Sequence, residues 1–158
     1  MNGRDSIPAL ERFYASILYL LPLLDGIVFG VFLFKQFPPL QLLFLPILPL
    51  LQVYNSFPFA GLIIFFVLLF GVVRNANISH FIRFNTMQAI LLDIVLILCR
   101  LVLQLVESAI QVPLVIETFY NTVFLGIIAA VVYAVVQSVR GLYAEIPAIS
   151  DAVNIQVR

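Results

Sequence analysis

Three ionisable side chains interrupt otherwise apolar runs of this chain: Asp25, Asp93 and Arg100. At membrane depth such residues are costly, so they face a protein interior or water, pair with one another, or mark a path for a substrate. Arg100, Gln104 and Glu107 follow Asp93 at offsets of 7, 11 and 14 residues. At about 100° per residue these four positions fall within roughly 60° of one another on a helix. The spacing therefore predicts a helix with a polar seam of Asp93, Arg100, Gln104 and Glu107, its other sides being apolar. Asp25 falls at nearly the depth of Arg100 if the helices carrying them run in the same direction. Two uses of this pair stand side by side. One is a structural ion pair locking two helices; the other is a hydrated path along the seam.

The chemistry of catalysis does not assemble. The sequence has no glycine-rich phosphate loop, no His-x-x-x-His ligand pair and no serine with an evident base, so no catalytic residue is assigned. Two intramembrane aspartates could suggest an aspartic intramembrane protease. Their settings, LLDG at Leu23–Gly26 and LLDI at Leu91–Ile94, lack the Gly-x-Gly-Asp context of such enzymes. One cysteine, Cys99, gives neither a disulfide framework nor a thiolate metal site. The single histidine, His80, reads as an interface residue. No metal ligand set and no cofactor site are expected.

The elements that must position these residues are dictated by composition. Of 158 residues 63% are hydrophobic and only 10% charged, against about 25% charged in soluble domains. Mean hydropathy is +1.15. Eight basic and eight acidic side chains cancel, which leaves no excess positive charge to hold nucleic acid. A water-soluble globule and a disordered chain are both excluded. The reading is a single membrane domain over residues 1–158, all-α, a polytopic bundle of four transmembrane helices with short amphipathic interfacial helices. Helix is required because unpaired amides in lipid cost several kcal/mol each.

The spans read as about 14–34, 57–73, 87–106 and 115–139. The second, at 17 residues, reaches about 25 Å and must stand upright or thin the bilayer. Residues 40–53 are apolar but only 14 long, with Pro46 and Pro49 inside. Runs of that length are interfacial, re-entrant or packed on other helices; a fifth span is the alternative. Ile78, Phe81 and Ile82 against Ser79, His80 and Arg83 suggest a helical turn at the headgroups. Small residues recur at Gly26 and Gly30, and at Thr122, Gly126, Ala130, Ala134 and Ser138. Such stripes let helices approach closely; packing within the monomer is their first use and a homo-oligomer the second.

With four spans, Arg4, Arg12, Arg74, Arg83, Arg140 and Arg158 share one side, opposite Lys35. This asymmetry places both termini on the cytoplasmic or stromal side. Residues 1–12 mix Arg4 and Arg12 with Asp5 and Glu11, unlike an acid-poor transit peptide, so no removable targeting segment is expected.

One block, VVRNANISHFIRFNTMQAILLDI at Val72–Ile94, resembles the signature of a family of membrane proteins. That family is the twenty-kilodalton subunit of the translocon at the inner envelope membrane of chloroplasts, with its cyanobacterial and algal plastid relatives. LPLLDGIVFG (Leu21–Gly30), FPPL (Phe37–Leu40), Pro46, Pro49 and FPFAGLIIFF (Phe57–Phe66) match it in order. The motif residues are Arg74, Asn75, Arg83, Asn85 and Gln88; Arg100 and Gln104 lie outside them. The resemblance implies four helices with both termini in the stroma and a cyanobacterial or plastid-encoded form. It also implies a membrane core of preprotein import, a subunit lining a conducting path. Its partners would be other translocon membrane subunits, translocating polypeptides and the lipid bilayer. Its membrane would be the plastid inner envelope, or the plasma or thylakoid membrane of a cyanobacterium. A second reading, from the polar seam alone, is a small-solute or ion carrier or channel; four spans without an inverted repeat are few for a carrier.

Overall fold

The computed structural model describes residues 6–157; Arg4, Asp5 and Arg158 lie outside them. Among the described residues every element is helical. Three helices are long and apolar enough to cross a membrane: α1 (Ala9–Gln36), α4 (His80–Ala109) and α5 (Pro113–Val139). Between the first two of these lie α2 (Leu40–Ser56) and α3 (Ala60–Val73), bent by 96° at a short break; together they could make a fourth crossing. A short helix α6 (Ile149–Gln156) closes the chain.

Local sequence explains each irregularity. Pro22 has no N–H and would press on the carbonyl four residues back. Helix α1 accordingly tightens at Leu18–Tyr19, where Tyr19 N–H donates to the Ser16 carbonyl and Leu21 N–H to that of Leu18, both at 3.3 Å. Pro46 and Pro49 do not end α2. They fall in the opening turns of its 3₁₀ piece Leu45–Ile47 and of its α piece Leu48–Ser56, where a proline is tolerated. The true break is at Pro58. Phe57 before it is extended (φ −100°, ψ 121°), as a residue preceding proline prefers. Phe59 then takes the left-handed region at φ 59° and turns the chain into α3. The residue 57–73 stretch thus contains the bend, and its helical part begins at Ala60.

Ser79 caps α4 by accepting from Ile82 N–H at 3.4 Å. The Ile78–Arg83 turn is therefore the start of a 30-residue helix, not a separate piece. Helix α5 ends in a Schellman motif: Gly141, at φ 72°, donates to the Ser138 carbonyl at 3.0 Å, and Leu142 to that of Gln137 at 2.9 Å.

The helices fix two ends of the bundle. At the near end Arg12 Nη1 donates to the Val139 carbonyl at 3.3 Å and Arg83 Nε to that of Val73 at 2.8 Å. At the far end the rings of Phe34, Phe44 and Phe124 stand 5.2–6.0 Å apart, clamping α1, α2 and α5. Helix α2 thus starts at the far end and α3 finishes at the near one. Gly26 and Gly30 sit against α5: an added Cβ would stand 2.9 Å from Ile127 and 2.7 Å from Phe124. That pair serves packing within the chain. The small-residue stripe of α5 divides, with Ala134 and Ser138 buried and Thr122 and Gly126 exposed.

Candidate functional site, a polar cavity at a broken helix

The break between α2 and α3 borders a cavity of about 650 Å³, whose walls include Asp25, Tyr54, Asn55, Asp93 and Arg100. Its rim is apolar, with Phe57, Phe59 and Ile97 exposed. Helix α1 contributes Asp25 at mid-length. Helix α2 brings Tyr54, whose hydroxyl lies 3.0 and 2.9 Å from the two carboxylate oxygens of Asp25. Gly61 on α3 leaves room for that contact; a Cβ there would collide with the Tyr54 hydroxyl.

Asp25 and Arg100 meet in another form than a carboxylate–guanidinium pair. Arg100 Nη2 donates to the main-chain carbonyl of Asp25 at 3.4 Å, while the Asp25 carboxylate takes the tyrosine hydroxyl. Asp93 is only 2% exposed, and its Oδ1 has no hydrogen-bond partner among the described residues. A buried carboxylate oxygen left this way is uncommon and calls for a donor. Gln104 is exposed and does not line the cavity; it follows Arg100 one turn further along the same face of α4. Glu107, also exposed, accepts from the Tyr120 hydroxyl at 3.1 Å. The cavity therefore gathers Asp25, Asp93 and Arg100, and leaves Gln104 and Glu107 on the exposed continuation. Tyr54 gave no signal in the sequence, because its partner is 29 residues away on another helix.

The remaining motif residues build something else. Asn85 and Gln88 are fully buried. Asn85 Oδ1 accepts from the Tyr19 hydroxyl at 2.7 Å and the Ser138 hydroxyl at 3.0 Å, and its Nδ2 donates to the Phe81 carbonyl at 2.9 Å. Gln88 Nε2 donates to the Tyr19 hydroxyl at 3.0 Å and the Ala144 carbonyl at 3.2 Å. Its Oε1 lies 2.9 Å from the Ser150 hydroxyl, which accepts from Ile146 N–H at 2.7 Å. This network ties α1, α4, α5 and α6 together with its polar atoms satisfied, and it seals the near end beneath Asp93. Arg83 closes the carbonyl end of α3, Arg74 stacks over Phe70 at 5.1 Å, and Asn75 Oδ1 accepts from Asn77 N–H at 3.0 Å. His80 lies 3.0 Å from the Tyr143 hydroxyl and 3.1 Å from the Val157 carbonyl. Burial, and then the charge of Glu11, hold the Tyr143 phenol above its ordinary pKa.

A family model described as "Chloroplast import apparatus Tic20-like" matches residues 9–153. The chain belongs to the Tic20 family. It is 54% identical over 159 residues to a "Tic20 family protein" of Synechocystis, covering 100% of this chain and 99% of that one. It is 38% identical to "Protein TIC 20-v, chloroplastic" of Arabidopsis thaliana, covering 99% of this chain and 75% of the relative. A third relative, "Tic20 family protein Ycf60" of Porphyra purpurea, is 32% identical over 99% of this chain and 81% of its own length. This is the cyanobacterial and plastid form of the family. Its apolar helices make it a multi-pass membrane protein.

Proposed function

We propose that this chain is a membrane subunit of a protein translocon. The observation that carries the reading is the match over nearly the whole chain to a family model described as chloroplast import apparatus, together with chloroplastic relatives of that family. The geometry suits it. One end of the bundle is locked by satisfied hydrogen bonds, while Asp25, Asp93 and Arg100 line a cavity beside a helix break. Irregular backbone at membrane depth is tolerated only where it is buried in protein or borders water.

The partners are other membrane subunits and polypeptides in transit, and Asp25, Asp93, Arg100 and Gln104 form the polar surface those polypeptides meet. Both termini face the cytoplasm or stroma, with α2 and α3 together forming the second of four crossings. The membrane is the plastid inner envelope, or the plasma or thylakoid membrane of a cyanobacterium. No catalytic role is part of the reading.

The test is to place a photo-crosslinking residue at Phe59, stall a membrane-targeted polypeptide in transit, and purify the protein in mild detergent. Crosslinks to the stalled chain and co-purification of further membrane subunits are expected. A protein that purifies alone and crosslinks only to lipid would overturn the proposal.

A further inference from the structure

We infer that the cavity and the exposed polar positions of α4 form one aqueous groove, open at the far end and closed at the near end, whose acidic floor takes a cationic side chain of a polypeptide. The occupant rests on the translocon reading; the groove does not.

Ile97, Arg100 and Gln104 are all exposed, and at about 100° per residue they fall within roughly 60° of one another, on the face that carries Asp93. From Asp93 to Gln104 the helix rises about 16 Å at 1.5 Å per residue, toward the end where α4 stops at Ala109. A guanidinium and an amide exposed along this stretch are costly against hydrocarbon and inexpensive against water. The opposite direction is shut, because Asn85 and Gln88 are 0% exposed and hydrogen-bonded. Water entering from the far end therefore reaches Asp93 and stops.

The floor selects the occupant. Asp25 and Asp93 face the cavity with one guanidinium, and that guanidinium already donates to the Asp25 carbonyl. Asp93 Oδ1, buried and unpartnered, lacks a donor. An ammonium or guanidinium group brings both the N–H donors and the positive charge; a carboxylate brings neither. The cavity volume, about 650 Å³, accommodates a long basic side chain with part of its backbone.

The experiment uses the full-length protein in membrane vesicles, with Cys99→Ser and single cysteines at Ile97→Cys and Gln104→Cys. Leu98→Cys and Leu105→Cys, exposed on the lipid side of the same helix, serve as controls. Two membrane-impermeant methanethiosulfonates are compared, one bearing trimethylammonium and one sulfonate. The groove cysteines should react at least about a hundredfold faster than the controls, because the hydrated thiolate is the nucleophile. At Ile97→Cys the cationic reagent should be preferred by about tenfold, after normalising to Gln111→Cys, as charge focusing in a cleft provides. That preference should fall in both Asp93→Asn and Asp25→Asn. A soluble lysine–serine peptide should slow the labelling, and a glutamate–serine peptide of equal length should not.

Equal rates at groove and control positions would overturn the groove. Fast labelling with no charge preference would overturn the acidic floor. Labelling and charge preference as expected, with both peptides without effect, would overturn the polypeptide occupant and count against the translocon reading while leaving the groove in place.

Discussion

At the scale of single residues the polar side chains divide into two groups with different physics. Asn85 and Gln88 are buried and paired, so each holds its neighbours by the penalty of leaving them unpaired. Asn85→Ala leaves the O–H donors of Tyr19 and Ser138 without their shared acceptor. It should cost about 1–3 kcal/mol for each group left unsatisfied, read as a lower unfolding temperature in detergent. Arg74→Ala, at an exposed position, should stay within about 0.5 kcal/mol. Equal losses in the two variants would mean that the buried network contributes nothing. Asp25 and Asp93 belong to the second group, polar atoms placed without a complete set of partners inside the protein. The sequence showed the first group only as motif letters. Spacing put Asn85 and Gln88 three apart on one helical face, but Tyr19, Ser138, Ala144 and Ser150, which satisfy them, come from three other helices and the connection between the last two. The second group was legible by type, since a charge in an apolar run stands out. Its pairing was not, because the Tyr54 hydroxyl that occupies the Asp25 carboxylate arrives just past residues 40–53, read as interfacial or re-entrant.

Elements were legible where apolar runs are long and uninterrupted. Helices α1, α4 and α5 each contain a stretch that hydropathy picks out, and each extends past it at one or both ends. Their polar ends, such as Ser79–Arg83, are helical by capping and packing rather than by apolar content. The prolines act unequally. Pro46 and Pro49 each remove a backbone hydrogen bond, yet α2 carries both in the opening turns of its 3₁₀ and α pieces. Pro58, inside a run read as continuous, carries the bend because Phe57 must extend and Phe59 turns left-handed. The two arms of that bend touch through Gly61 and Tyr54, which makes them energetically coupled. Gly61→Ala should displace the hydroxyl from Asp25 and cost about 1–3 kcal/mol. In a Tyr54→Phe background the same change meets no hydroxyl. The double variant should therefore be less destabilised than the sum of the singles, and strict additivity in thermal unfolding would show that the contact is absent. Glycines on the straight helices separate in the same way. Gly30→Ala drives a Cβ to 2.7 Å from Phe124 and 2.8 Å from Phe34, so a loss of about 1–3 kcal/mol is expected. Gly126→Ala meets nothing within 4 Å and should stabilise its helix by about 0.5–1 kcal/mol, measured in the same melts.

For the whole molecule, the connection made by α2 and α3 fixes the parity of the fold. Phe44 packs with Phe34 and Phe124 at the far end. Val73 meets Arg83 at the near end, where Arg12 reaches Val139. A 96° bend at mid-course lengthens that path without reversing it, so the chain enters the pair at one end and leaves at the other. Arg12, Arg74, Arg83 and Arg140 therefore gather at the near end, and Lys35 stands at the far one. On the topology proposed above, the positive-inside rule orients the near end to the cytoplasm. In a Cys99→Ser background, single cysteines at Lys35 and Asn77, both exposed and on either side of α2 and α3, should react with an impermeant thiol reagent from opposite sides of the membrane. A reporter active only in the cytoplasm should give signal when fused at either terminus. If Lys35→Cys and Asn77→Cys label from the same side, α2 and α3 do not cross the membrane. The arginine clusters would then no longer share one compartment, and the charge asymmetry would lose its value as a guide to orientation.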